Sequence, residues 1–75
     1  MVSKTTEVDI VVADGPSLVP IEVKLSATPR PGMASAVKTF QNDLGDKAKA
    51  GYVVHPGDLL IPLGPNVTAL PFFRL

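Results

Sequence analysis

Two apolar segments on either side of a short turn constrain the fold more than any other feature of the sequence. The turn is Asp14-Gly15-Pro16-Ser17; residues 7–13 before it are rich in β-branched side chains, and residues 18–25 after it form a second such run. Runs of this kind around a turn with glycine and proline are typical of an antiparallel β-hairpin. The predicted register pairs Ala13 with Leu18, Val11 with Pro20, Asp9 with Glu22, and Glu7 with Lys24.

This register gives the hairpin two different faces, because side chains alternate along a strand. One face is wholly apolar and is expected to be buried: Val8, Ile10, Val12, Val19, Ile21, Val23 and Leu25. The other face is apolar near the turn and charged at its open end, where it carries Glu7, Asp9, Glu22 and Lys24. Pro20 has no backbone N–H to donate, so we expect it at a sheet edge or a bulge.

The rest of the sequence predicts one helix and further strands. Helical spacing of apolar residues, with proline at the start and Gly45 at the end, predicts a helix over 31–44 whose core face is Met33, Val37, Phe40 and Leu44. Strands are predicted at 51–55 and 58–63, with a short edge strand at 67–70.

The order of these elements defines the expected fold class. A strand, a helix and a strand between residues 18 and 55 form a crossover unit, so the third strand is expected to run parallel to the second by a right-handed connection. The chain is therefore predicted to be a single domain of the α/β (α+β) class. Its small mixed β-sheet has an N-terminal antiparallel hairpin, one crossover helix and further C-terminal strands.

Composition excludes several classes of protein. Lys plus Arg is 7 and Asp plus Glu is 7, so no overall basic field attracts nucleic acid, and any such partner must be recognised locally. Cysteine is absent, which excludes disulfides and thiol chemistry. The apolar runs are too short for a membrane span or a signal peptide. We expect a cytoplasmic protein without a membrane partner and, because so small a chain leaves apolar surface exposed, a homo-oligomer or part of a larger chain.

The charged end of the hairpin carries the main functional signal. In the predicted register Asp9 and Glu22 have Cβ atoms roughly 4.5–5.5 Å apart. Two such carboxylates repel each other unless a hard cation with oxygen ligands, here magnesium, binds between them. Lys24 on the same face could orient or deprotonate a water, or stabilise charge on a phosphate. These are the parts of metal-assisted phosphodiester hydrolysis.

Asp9, followed on the next strand by Glu22-Val23-Lys24, resembles the signature of the PD-(D/E)XK nuclease superfamily, with Val8 in place of its proline. The resemblance implies that Asp9 and Glu22 bind the metal, that Val23 lends its backbone carbonyl, and that Lys24 is catalytic. Glu7 is interpreted as an auxiliary ligand or a partner of Lys24. The superfamily core begins with a helix that residues 1–6 are too few to form, so the expected fold is a restriction-endonuclease-like core lacking its first helix.

A longer resemblance covers almost the whole chain. It runs through Glu7-Val8-Asp9, Ile21-Glu22-Val23-Lys24, Thr28-Pro29-Arg30-Pro31-Gly32, Tyr52-Val53-Val54 and Leu70-Pro71-Phe72. These segments resemble the C-terminal nuclease-like domain of a prokaryotic family of predicted AAA-type ATPases. The resemblance implies an ATPase chain as a partner, with this chain as a truncated or stand-alone tail, because its sequence has no P-loop motif.

Other interpretations stay open. The charged end could be a solvated end of the hairpin. The chain could also be a non-catalytic module that dimerises through its apolar surface and regulates or docks an ATPase or a nucleic acid.

Several side chains outside the hairpin have two interpretations each. His55 is expected at the surface rather than as a metal ligand, because the sequence has no second histidine. Four basic residues could contact phosphates or simply be solvated: Arg30, Lys38, Lys47 and Lys49. Three apolar residues near the end of the chain either close the core or face a partner: Phe72, Phe73 and Leu75.

Overall fold

The computed structural model describes residues 8–74, which form a mixed α+β domain with five strands and one α-helix. The strands are β1 (Ile10–Asp14), β2 (Ser17–Val23), β3 (Gly51–His55), β4 (Ile61–Gly64) and β5 (Val67–Pro71). The helix is α1 (Ser35–Leu44), and three short 3-10 helices cover Pro31–Ala34, Gly45–Lys47 and Phe72–Arg74. None of the helices in this part of the chain is long and apolar enough to cross a membrane.

The strands form one sheet in the order β1-β2-β3-β5-β4. Strands β2, β3 and β5 are parallel, while β1 and β4 pair antiparallel at the two edges. The predicted mixed sheet and the parallel pairing of the second and third strands are confirmed. The prediction that residues 67–70 form an edge strand is wrong, because β5 lies between β3 and β4.

The hairpin has the predicted register along β1. Ala13 is opposite Leu18, and Val11 is opposite Pro20. The loop is Gly15-Pro16, and Gly15 has a φ of 62°. Since proline fixes a negative φ at the next position, the loop fits a type II′ turn, which matches the twist of a hairpin. The ladder is shorter than predicted, because β1 begins at Ile10 rather than at residue 7 and β2 ends at Val23 rather than at residue 25.

The predicted helix over 31–44 is confirmed, with its first turn in 3-10 geometry. Pro31 stands in that first turn, where a missing N–H costs no helical hydrogen bond. Gly45 ends α1 with a φ of 57°, which favours glycine. On the core face Val37 is fully buried, while Met33, Phe40 and Leu44 are half-buried.

The core lies between α1 and one face of the sheet. Its buried members come from every layer: Ala34, Val37, Val53, Leu63, Val67 and Ala69. Gly51 allows the helix to pack closely on the sheet, because a Cβ at this position would lie 2.5 Å from Val37 Cγ1 and 2.9 Å from Pro20 Cγ. The helix therefore packs closely over the middle of the sheet.

Pro20 lies in an interior strand rather than at a sheet edge, and its missing N–H faces an irregularity in the β2–β3 ladder, as expected. It is buried in β2 against the helix. The β2–β3 ladder starts one residue later, at Ile21 and Tyr52, and the preceding contact is an isolated bridge between Leu18 and Ala48. The missing N–H of Pro20 falls in this gap and disrupts no ladder hydrogen bond.

The apolar hairpin face, which was expected to be buried, is the open side of the sheet. Ile10 is 47% exposed, Val12 and Val23 are exposed to similar extents, and Leu25 beyond the strand is almost fully exposed. The helix covers the opposite face because that face has small or flat residues at its centre, Pro20 and Gly51 among them. Glu22 shares the helix-covered face and is buried at its rim.

Candidate functional site

The parallel strands bring the predicted site residues to one edge of the sheet. The carboxyl ends of β2, β3 and β5 share this edge, and β1 starts there because it runs antiparallel to β2. Ligands of open α/β sheets bind outside the carboxyl ends of the strands. We call this side of the domain the carboxyl edge.

Glu22 is the most constrained of these residues. It pairs with Val53 and is 8% exposed. Its Oε2 lies 3.4 Å from Lys24 Nζ, but its Oε1 is buried and has no hydrogen-bond partner within residues 8–74. Nearly all buried polar atoms in proteins have a partner, and leaving one without it costs about 1–3 kcal/mol. This oxygen is available for a ligand.

Asp9 contacts the same segment of β2 through a hydrogen bond. It forms a bend before β1, and its Oδ2 accepts a hydrogen bond from the Val23 N–H at 2.8 Å. The ladder ends at the pair of Ile10 and Ile21, so the predicted strand pairing of Asp9 with Glu22 is wrong. The chain leaves the strand at Asp9, since the side chain of Val8 packs against the helix-side core. Glu7 lies outside the described residues.

The backbone of Val23 is directed toward Asp9. In a strand, the N–H and C=O of one residue point to the same side. The Val23 N–H points to Asp9, whereas the next N–H, that of Lys24, donates to Val54 O at 2.9 Å on the β3 side. The Val23 carbonyl therefore faces the Asp9 side, and the β1 ladder supplies no partner for it.

Lys24 lies immediately beyond β2. Its side chain is 41% exposed and forms the ion pair with Glu22. Because the lysine side chain is partly open to solvent, its ammonium can also reach a ligand at the edge.

His55 is fully buried, so its predicted surface position is wrong. Its Nδ1 accepts a hydrogen bond from the Gly57 N–H at 3.1 Å, and its Nε2 lies 2.8 Å from Leu59 O. Because Nδ1 accepts, Nε2 must carry the proton that is donated to Leu59. Both ring nitrogens are engaged in holding the β3–β4 loop, which leaves neither for a metal. The turn formed by Pro56 and Gly57 was visible in the sequence, but its bond back to the ring was not.

The other predicted basic residues lie in different places. Arg30 immediately precedes the 3-10 turn that begins at Pro31, and Lys38 lies against Gly64 on the helix side of the sheet. Lys47 and Lys49 follow the end of α1, and the Lys49 N–H donates to Leu18 O near the start of β2. These two lysines are therefore at the edge opposite the site.

Gln41 has a structural role that the sequence did not indicate. Its Nε2 donates to both Lys49 O and Asn66 O, each at 3.0 Å. It joins the end of α1 to the amino ends of β3 and β5, beside an open polar hollow. This hollow lies away from the carboxyl edge.

The donor set at the carboxyl edge suits a hard cation. Asp9, Glu22 and the Val23 carbonyl offer oxygen atoms alone, which magnesium prefers over the nitrogen and sulfur ligands that suit zinc. Within residues 8–74 no three acidic or histidine side chains come together as a metal cluster. The fit therefore depends on two carboxylates, one carbonyl and the unpaired Glu22 Oε1.

The fold and the site together define the class of protein. It is a small α+β domain whose mixed sheet carries two acids and a lysine at its carboxyl edge. The chain belongs to the family described as a domain of unknown function, DUF4143, whose model matches residues 2–75. Comparisons with curated proteins and with solved structures gave no match. The description of the family assigns no activity to it.

Proposed function

We propose that this chain is a nuclease-like domain of the PD-(D/E)XK type, with a restriction-endonuclease-like core that lacks the first helix. Its activity is magnesium-dependent hydrolysis of phosphodiester bonds in nucleic acid, weak in the isolated chain. The observation that carries the proposal is the buried Glu22 Oε1, which lacks a partner among the described residues and lies beside a lysine.

Each residue has a distinct role in this proposal. Asp9 and Glu22 hold the cation together with the Val23 carbonyl. When bound, magnesium supplies positive charge against the phosphate and acidifies water. Lys24 holds a phosphate oxygen and stabilises the charge that develops there during hydrolysis. The ion pair with Glu22 keeps the ammonium near that position.

The order of elements also supports the proposal. The hairpin, α1 and the parallel strand β3 follow one another as the resemblance to the superfamily implies. Asp9 lies in the bend immediately before β1, and Glu22 and Lys24 lie at the end of β2. The placement of Asp9, Glu22 and Lys24 at the carboxyl edge supports the proposal.

Magnesium is expected to bind saturably at this group. Titration into ¹⁵N-labelled protein should shift the amide signals of Asp9, Val23 and Lys24, because the Val23 N–H bonds directly to the Asp9 carboxylate. Glu22→Gln, which keeps the shape of the side chain, should weaken binding at least tenfold. Asp46→Asn is the matched control, since Asp46 is an exposed acid in the 3-10 helix Gly45–Lys47, away from the carboxyl edge. Equal binding by Glu22→Gln and the unaltered protein would contradict the proposed site.

A second candidate function is a non-catalytic dimerisation or regulatory module derived from the C-terminus of an AAA-type ATPase. The observation that favours it is the open face, which we define as the sheet side facing away from α1. By strand register its apolar members are Ile10, Val12, Val19, Ile21, Val23, Tyr52, Val54 and Leu70; Ile10, Val12 and Val23 are exposed, whereas Val54 is already buried within the chain. Parallel strands are usually covered on both faces, so a second copy of the chain would provide the missing layer.

A charge on the open face is expected to abolish such a dimer. Val12→Lys should convert a dimer to a monomer in sedimentation velocity, because the ammonium would be buried without a partner. Val11→Lys is the matched control, since Val11 and Val12 are exposed to nearly the same extent but alternate to opposite faces of β1. An unaltered protein that sediments as a monomer would contradict the dimer.

A further inference from the structure

Two exposed phenylalanine rings lie at the carboxyl edge. Phe72 is 54% exposed and Phe73 is 63% exposed, so neither closes the core. They follow the carboxyl end of β5 in the 3-10 helix Phe72–Arg74. The chain has 3 phenylalanines in all, so most of its phenylalanine side chains stand at this one position. Contiguous exposed apolar side chains often mark a binding surface.

The rings are close to the proposed catalytic group. Pro71 pairs with His55 on β3, and Val54 pairs with Val23 on β2. Lys24 therefore stands level with Pro71, two strand spacings away. At about 4.8 Å per spacing the two backbones are roughly 10 Å apart. This distance equals the rise of about three stacked nucleotides at about 3.4 Å each.

The charges at this edge favour a phosphate backbone only when a cation is bound. By their place after the strands that end here, the basic side chains at this edge are Lys24 and Arg74, and the acids are Asp9, Glu22 and Asp58. The acids outnumber the bases at this edge, and the whole chain has no net charge. Nucleic acid that binds here therefore needs a source of affinity besides charge, and exposed aromatic rings supply one by stacking on bases.

We propose that the carboxyl edge binds single-stranded nucleic acid, with its bases stacked on Phe72 and Phe73 and its backbone extending toward Lys24. The inference rests on the proposed function, because it names the substrate class of that same site. In a duplex the bases are already stacked and hidden from such rings. A duplex reader also needs an extended basic face, whereas acids outnumber bases among the side chains placed at this edge.

The test is fluorescence anisotropy with a labelled oligothymidylate and with a labelled duplex hairpin of the same length. The protein is titrated into each probe once in EDTA and once in calcium. Calcium takes the place of magnesium so that the probe is hydrolysed little during the measurement. Phe72→Ala/Phe73→Ala is expected to raise the Kd for the single strand about tenfold or more. Phe72→Tyr/Phe73→Tyr keeps both rings and should bind as the unaltered protein does.

The matched control is Leu59→Ala/Leu60→Ala, because these leucines on the β3–β4 loop are also about half exposed but have no ring. Its Kd should change less than threefold. Equal affinity for the single strand and the duplex would overturn the inference. So would a rise in Kd for Leu59→Ala/Leu60→Ala as large as the rise for Phe72→Ala/Phe73→Ala. So would a fall in sedimentation coefficient in the phenylalanine variant, which would assign the rings to a protein interface.

The two proposals fail separately. Ring-dependent binding of the single strand in EDTA supports the inference even if calcium adds nothing, and in that case the metal site fails. If the metal binds saturably but the affinity for the single strand does not depend on Phe72 and Phe73, the inference is overturned and the proposed hydrolysis is not. Circular dichroism and thermal unfolding of each variant establish that it is folded before binding is compared.

Discussion

Lys24→Ala is expected to reduce magnesium-dependent cleavage of nucleic acid by about 100-fold or more. Removing one group that stabilises transition-state charge typically costs a factor of about 10²–10³ in rate. The Lys24 ammonium forms an ion pair with Glu22, with its Nζ 3.4 Å from Glu22 Oε2. Its loss should leave binding of the metal largely intact, because the ligands are carboxylates and a carbonyl.

The measurement is the initial rate of cleavage of labelled single strand and duplex with magnesium, at several protein concentrations. Lys24→Arg keeps the charge and should retain more activity than Lys24→Ala. Lys38→Ala is the control, because Lys38 is an exposed lysine on α1 that packs near Gly64, away from the carboxyl edge. Cleavage that persists unchanged in Lys24→Ala would assign the activity to a contaminant or to another site.

The parts of the fold that depend on neighbouring residues were predictable from the sequence. The loop at Gly15 and Pro16 fixes the hairpin register locally, and Gly45 marks the end of α1. The place of β5 was not predictable in this way. Its insertion between β3 and β4 depends on which distant strand it pairs with, and no local pattern encodes that choice.

The candidate site was predictable in its residues but not in its geometry. Alternation placed Glu22 on the charged face, yet it did not reveal that this is the face covered by α1 or that Glu22 is buried there. The sequence showed Asp9 as a strand residue. In the folded chain the backbone bends at Asp9. The Asp9 carboxylate therefore accepts the hydrogen bond from the Val23 N–H that a backbone carbonyl of a neighbouring strand would otherwise accept. Both differences arise from tertiary packing, which a single strand pattern does not contain.

The burial of His55 leads to the second large effect. His55→Ala is expected to lower the free energy of unfolding by about 2–5 kcal/mol, since it leaves a cavity and removes the partners of two backbone groups. Those groups are the Gly57 N–H and the Leu59 carbonyl. Urea unfolding followed by circular dichroism measures the change. Asp58→Asn, an exposed substitution in the same loop, should stay within about 0.5 kcal/mol of the unaltered protein.

His55→Phe separates packing from hydrogen bonding. The ring fills the space but bonds neither Gly57 nor Leu59, so the amide of Gly57 should lose protection from hydrogen exchange in both variants. A His55→Phe protein as stable as the original, with Gly57 still protected, would contradict the role of these bonds. The loop also bears on the site, because a Cβ at Gly57 would collide with the Ala27 carbonyl on the segment that follows Lys24. Release of the loop should therefore loosen that segment, and metal-dependent cleavage should fall in both His55 variants even where they remain folded.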